Sequence, residues 1–127
     1  LAATTMIHYM DDDTTVLEAP RFRQHLPGAP LVKAQSARGL ISSNGDHVHL
    51  LKDVRLIRAA VEGTPETVMQ TEYLHITPEA EQMRTDKPVL IRQGGSTLRA
   101  DNWFSDGRKR ALELEGRVKG IYEAQRR

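Results

Sequence analysis

The sequence contains no cysteine, so a disulfide scaffold and a thiol nucleophile are both excluded. The absence suits a reducing cytosol and a disulfide-free exported protein equally, which leaves the compartment open. Aromatic residues supply only 5% of the chain, so any interior must be lined by aliphatic side chains of medium size. No run approaches the roughly eighteen apolar residues of a membrane-spanning helix, and no basic-then-apolar leader is present. Charge of one sign is not in excess either. The 18 Lys/Arg against 17 Asp/Glu give a net +1, and such a balance has no overall field that would point to nucleic acid or an acidic membrane surface. The charges are unevenly spread, however: Arg84 onward sums to +5, Leu1 to Met83 to −4.

What is present is alternation. From Leu112, apolar Leu112, Leu114, Gly116 and Val118 alternate with Glu113, Glu115, Arg117 and Lys119, which describes a strand with one greasy and one wet face. Upstream, Asp106-Gly107 separates this strand from Leu98–Phe104 and is a hairpin signal. Fainter copies precede it. The spacing of Leu98, Ala100 and Trp103 recurs at Leu1, Ala3, Met6, at Val32, Ala34, Ala37, and at Met69, Thr71, Leu74. Each copy is followed by turn chemistry: Asp11-Asp12-Asp13, Ser43-Asn44-Gly45-Asp46, Pro78-Glu79-Ala80-Glu81 and Asp106-Gly107. The connections Gln24–Pro30, Glu62–Glu66 and Gln93–Ser96 carry Gly and Pro but are too short for domain linkers. Leu51–Glu62 could wind as a helix, yet Val54-Arg55-Leu56 continues the alternation from Val48 and Leu50, and Pro78–Met83 is too short for a helix.

The expectation is one all-β domain over residues 1–127, with eight to ten strands in four two-strand units of about thirty residues, stacked or rolled because such units cannot cover their own apolar face alone. The inner face would hold Met6, Leu17, Phe22, Val32, Leu50, Val54, Leu56, Met69, Leu74, Val89, Ile91, Trp103, Leu112, Leu114 and Val118. An aliphatic layer of this kind can close as a dry core or stay open to hydrocarbon, which gains about 0.8 kcal/mol per buried CH₂.

Catalytic and metal chemistry finds little support. His47 and His49 flank Val48 on one strand face at a spacing a metal could use, but no third ligand is near in sequence, and a polar outer hairpin face is the better account. Asp11-Asp12-Asp13 lacks the spaced ligands and closing Glu of a calcium loop. Gly94-Gly95-Ser96 lacks the Gly-Lys-Ser/Thr and helix of a phosphate loop. Glu113 and Glu115 alternate with Leu on a solvated face, and Arg108-Lys109-Arg110 has no interleaved aromatics. No Ser lies in a nucleophile elbow. No catalytic residue, metal or cofactor is expected.

These segments also carry a family resemblance. Thr71-Glu-Tyr-Leu-His75, Arg84-Thr-Asp-Lys-Pro-Val89, Leu98-Arg-Ala-Asp101, Leu112-Glu-Leu-Glu-Gly-Arg-Val118 and Gly120-Ile-Tyr122, preceded by Tyr9-Met-Asp-Asp-Asp-Thr-Thr-Val-Leu-Glu-Ala-Pro20, resemble in order and spacing the LptC family of lipopolysaccharide export proteins. The related LptA and the N-terminal domain of LptD share the repeat. The resemblance implies a twisted, partly open β-jellyroll in the periplasm, tethered to the inner membrane by an N-terminal helix. The chain starts at Leu1 with a strand pattern already running, so that anchor is expected upstream of it. The resemblance also implies that the interior receives the acyl chains of lipopolysaccharide from the inner-membrane LptB-LptF-LptG transporter, through the N-terminal edge, and passes them to LptA. The expected edge for LptA is the C-terminal one, at Gly116, Val118, Gly120, Ile121 and Tyr122, because unpaired backbone invites another strand. Two alternatives stay open: an LptA-like bridge protein, and a structural β-repeat scaffold with a dry core.

Overall fold

Period-two alternation along nearly the whole chain leaves no segment with a helical stripe, and the computed structural model, which describes residues 1–42 and 44–121, contains thirteen strands and no helix among them. They are β1 (Thr5–Tyr9), β2 (Thr14–Glu18), β3 (Arg21–Gln24), β4 (Val32–Gln35), β5 (Arg38–Ile41), β6 (Val48–Arg58), β7 (Thr67–Thr77), β8 (Gln82–Thr85), β9 (Val89–Gln93), β10 (Ser96–Ala100), β11 (Asn102–Asp106), β12 (Ala111–Glu115) and β13 (Lys119–Ile121). The ambiguous stretch after Leu51 is the second half of β6. The expectation of eight to ten strands was too low, because most repeat strands break where the sheet folds over.

The two long strands, β6 and β7, organise everything else. The first half of β6 and the second half of β7 belong to one arm, in the order β1-β2-β5-β6-β7-β8-β11-β12. Their other halves belong to a second arm, β3-β4-β6-β7-β9-β10-β13. Between the arms Lys52 and Asp53, at φ 67° and 52°, lie opposite the single Glu72, a bulge that bends the ladder. Every repeat makes the same journey. It runs out along the second arm, crosses into the first, reverses in a turn and returns; β10, β11, β12 and β13 are the clearest case.

This journey explains the recurrent spacing. Leu98 and Ala100 face inward on β10, the crossing consumes one extra residue, and Trp103 then faces inward on β11; Met69, Thr71 and Leu74 do the same along β7. Where the chain crosses there is little room, and small side chains occupy the place: Ala34, Thr71 and Ala100 are all buried. Three of the four return crossings use positive φ instead, at Ala19 (48°), at Lys52 and Asp53, and at Gly116 (70°) and Arg117 (42°); the crossing from β8 to β9 passes through Pro88 without it. The strand expected to run unbroken from Leu112 through Val118 therefore ends at Glu115 and resumes at Lys119. Its hairpin reverses through Gly107–Arg110 rather than at Asp106-Gly107 alone, with Asp106 Oδ1 accepting hydrogen bonds from the amides of Arg108 at 3.0 Å and Lys109 at 3.2 Å.

The arms face each other across a single apolar cluster. Val48, Leu50, Leu74, Ile76, Met83 and Trp103 come from the first arm; Ala34, Val54, Leu56, Met69, Val89, Ile91 and Ala100 come from the second or the crossings. Leu17, Leu50, Leu74 and Ile76 are completely buried.

Candidate functional site

The inner faces are continuous rows of paired residues. In the first arm His8–Thr15–Ile41–Val48–Ile76–Met83–Ser105–Leu112 runs from one edge strand to the other. Beside it, Met6–Leu17–Gly39–Leu50–Leu74 starts from the β1 edge. In the second arm Phe22–Ala34–Leu56–Met69–Ile91–Leu98–Gly120 again spans edge to edge.

Nine of the fifteen residues expected inside are buried: Leu17, Leu50, Val54, Leu56, Met69, Leu74, Val89, Ile91 and Trp103. Phe22, Val32 and Leu114 are half-buried and pack against them. The other three require correction as core residues, since Met6 is 54% exposed, Leu112 56% and Val118 46%. The cause is position in the sheet. Met6 and Leu112 stand in the inner rows, but on edge strands with no strand beyond them, and Val118 lies between Arg117 and the edge strand β13. Sequence reasoning passed over Val48, Ile76 and Met83, which the alternation on β6, β7 and β8 could have supplied.

Between the arms lies a recess of about 270 Å³, lined by Val32, Leu56, Met69, Met83, Ile91, Trp103 and Leu112, with Arg58 and Arg110 also on its walls. The segment Leu26–Pro30, which the repeat argument treated only as a connection, forms another wall, and Gln24, Thr67, Ser105 and Asp106 add polar groups to the lining. Arg110 Nη2 donates to the Pro27 carbonyl at 3.3 Å and so ties this segment to the tip of the β11–β12 hairpin. The recess falls just under the roughly 300–1,000 Å³ of small-molecule pockets. A larger open groove lies on the outer side along the fold line; its lining of Asp53, Arg55, Glu72, Asp101, Arg117 and Lys119 is too polar for hydrocarbon.

Among the described residues β13 pairs only with β10, and Gly120 and Ile121 are exposed. Gly116 is a crossing residue rather than a strand residue, and Tyr122 lies outside the described residues. β12 is the matching edge of the first arm; at the N-terminal side β1 is the edge of the first arm, and β3 ends the second arm with its outer side bridged at Arg21 by Ala2.

The residues weighed for catalysis or metal fall where local chemistry puts them. Asp12 Oδ1 accepts from the amide and hydroxyl of Thr14 at 3.1 and 2.7 Å, closing the first turn. Glu113 and Glu115 are exposed, and Arg108, Lys109 and Arg110 form a hairpin tip. His47 and His49 share the outer face of the first arm with a third ring, His75, which register alone brings opposite His49. His47 Nδ1 lies 2.8 Å from His75 Nε2, and His49 Nδ1 lies 2.6 Å from the Tyr73 hydroxyl. Burial and then neighbouring imidazoles lower the proton affinity of His49 and His75. No three His, Asp or Glu side chains among the described residues are arranged to hold a metal ion.

The fold and its site define a class: an open, two-armed β-jellyroll with an apolar recess between the arms and unpaired strands at both ends. Within that class the chain belongs to the family described as lipopolysaccharide-assembly, LptC-related, whose model matches residues 1–123. Comparison with curated protein sequences finds no match. Among solved structures the chain is similar to LptH of Pseudomonas aeruginosa, the LptA-homologous periplasmic component of the lipopolysaccharide transport device. The TM-score is 0.68 at 8% identity, over 97% of this chain and 93% of that one. Membership of this family places the role of the protein in lipopolysaccharide assembly.

Proposed function

We propose that this domain is a non-enzymatic lipid conduit. It takes the lipid A acyl chains of lipopolysaccharide between its arms, receives them from the inner-membrane LptB-LptF-LptG transporter at the β1/β3 edge, and hands them to LptA at the β12/β13 edge, while an N-terminal helix holds it to the inner membrane. The observation that carries this reading is the continuity of the inner rows. Two neighbouring inner rows, one starting at exposed Met6 on β1 and the other ending at exposed Leu112 on β12, leave apolar side chains open at both edges, which is costly for a closed scaffold but is what lipid moving along a strand-paired series of jellyrolls requires. Each acyl CH₂ entering the recess would gain about 0.8 kcal/mol, and no reacting group is needed. At about 270 Å³ the recess must widen to admit several chains, and the bulge at Lys52-Asp53 gives the arms a place to flex.

The test is a photo-crosslinking side chain at Leu112 or at Leu114, exposed to lipopolysaccharide in purified vesicles. Adducts at these inward positions and none at the outward Glu113 are expected. Equal labelling at all three, or none at any, would leave the dry scaffold as the better account.

A further inference from the structure

The near-neutral total charge conceals a segregation that only the register reveals. On the outer face of the second arm one row reads Arg21–Gln35–Arg55–Gln70–Leu90–Arg99–Lys119. The next reads Arg23–Lys33–Ile57–Val68–Arg92–Thr97–Ile121. Seven cations lie in these two rows, all exposed, and no acid lies in either. Subtracting the seven from a net +1 leaves −6 for the rest of the chain.

Two further features show that the face is not an ordinary solvated sheet surface. Among the described residues none of the seven forms an ion pair; the pairs present are His8–Asp13 and Arg117–Asp101. Arg23 sits directly opposite Lys33 and Arg99 directly opposite Lys119, cross-strand pairings of like charge that weaken a sheet. The nearest acids stand at the margins: Asp53, Glu72, Asp86 and Asp101 along the fold line, and Glu66 just before β7. Of these, Asp101 is already engaged by Arg117.

We propose that the outer face of the second arm is a docking surface for an anionic lipid bilayer. Seven strands spaced about 4.8 Å apart spread the cations over a face roughly 29 Å wide. Arg55, Arg99 and Lys119 border the open polar groove along the fold line, while Arg21, Arg23, Lys33 and Arg92 lie outside it, a spread across the whole face that suits many headgroup contacts rather than one bound molecule. Long Arg and Lys side chains keep their charge at such a surface while their stems cover Ile57, Val68 and Leu90. Docking by this face engages the outward side chains of β3 and β13 but leaves the inner rows and the β1 and β12 edges uncovered, so it is independent of what fills the lumen.

Vesicle flotation tests it, with phosphatidylcholine alone and with about a third phosphatidylglycerol, at about 50 mM and about 300 mM salt. The protein should float with the anionic vesicles at low salt, release at high salt and ignore the neutral ones. Replacing Arg55, Arg92 and Arg99 by Gln should weaken binding about a hundredfold. A control with Arg38→Gln, Arg84→Gln and Lys109→Gln, of equal net charge, should retain binding; circular dichroism establishes that both variants fold. If either failed to fold, the single Arg92→Gln, at an exposed site, should still weaken binding severalfold, about as one lost basic contact does. Equal loss in both triple variants would reduce the effect to bulk charge and overturn the proposal. Binding to soluble heparin without binding to anionic vesicles would also overturn it, in favour of a soluble polyanion.

Discussion

Arg117 holds Asp101 with two parallel hydrogen bonds, Nε to Oδ2 at 2.9 Å and Nη2 to Oδ1 at 3.1 Å, across the last crossing of the sheet. The Asp101 amide meanwhile donates to the carbonyls of Glu115 and Gly116. A planar guanidinium facing a carboxylate in this way fixes orientation as well as position. The pair sets the angle at which the chain leaves β12 and enters β13, the edge proposed to meet LptA.

Loss of this clamp should free the edge without unfolding the domain. The hydrogen bonds from Arg117, more than its charge, hold the Asp101 carboxyl below its ordinary value of 3.8. A group whose folded value is depressed stabilises above the ordinary value, and its contribution fades as pH falls from 3.8 through the folded value. Asp101→Asn should therefore speed amide exchange at Lys119–Ile121 at neutral pH, with little change in β6 or β7. Gly116→Ala should do the same for a different reason: at φ 70° its Cβ would stand 2.9 Å from Asp101 Cβ, and the left-handed conformation costs a non-glycine residue roughly 1 kcal/mol. Unchanged exchange in both variants would mean that β13 is held by its ladder to β10 alone.

A second prediction separates the buried middle of the inner rows from their open ends. Leu74 has no exposed surface, and Leu74→Ala should cost about 2–5 kcal/mol in urea unfolding. Leu112→Ala and Met6→Ala remove side chains that are already more than half exposed and should cost no more than about 0.5 kcal/mol. In the crosslinking assay the order reverses, with Leu112→Ala reducing lipid capture. A Leu112 cost as large as that of Leu74 would show that the ends of the rows are closed in solution.

The contrast also marks how far the sequence could be read. The faces were legible because strand parity is strict: Leu50, Val54, Leu56, Met69 and Leu74 needed only alternation to be placed inside. The repeat was legible through Ala100 and Thr71, although its cause, one extra residue consumed at each crossing, needs the bend to be seen. Exposure was not legible. Leu112 and Leu114 read identically along the strand, and both stand on the edge strand β12; the difference is that Leu114 pairs with buried Trp103 and packs against the core while Leu112 pairs with Ser105. The cationic face was hidden for a similar reason, since its seven charges come from six strands and assemble only through register.

Register also assembles the three histidines, and their packing predicts a response to acid. Burial, then the charges of the other rings and of Arg84, depresses the proton affinity of His75; burial and then His47 depress that of His49. For a histidine lowered in the folded state, the unfolded chain takes up the proton first. Stability is therefore unaffected above the ordinary value of 6.5 and declines as pH falls from there through the folded values. The melting temperature should be lower at about pH 5.5 than at about pH 7.5, and His75→Phe, which keeps a ring in the stack, should narrow the difference. An unaltered difference in that variant would assign the acid response to other groups.

The last prediction concerns the mouth of the recess. A Cβ on Gly107 would stand 2.8 Å from Leu26 Cδ1 and 3.2 Å from the Glu81 carbonyl, so any side chain at the hairpin tip must displace Leu26 at the start of the Leu26–Pro30 segment. Arg110 ties the tip to that segment through the Pro27 carbonyl. Gly107→Val should cost about 1–3 kcal/mol through overpacking, and it should push the segment away from the tip and widen the recess. An environment-sensitive fluorescent fatty acid should then bind more tightly than to the unaltered protein, while amides of Leu26 to Ala29 exchange faster. Arg110→Ala should reproduce the faster exchange with a smaller loss of stability, because it removes one exposed hydrogen bond and adds no atoms. If Gly107→Val lowered stability and left probe binding unchanged, the segment would be part of a sealed core rather than a movable wall of the recess.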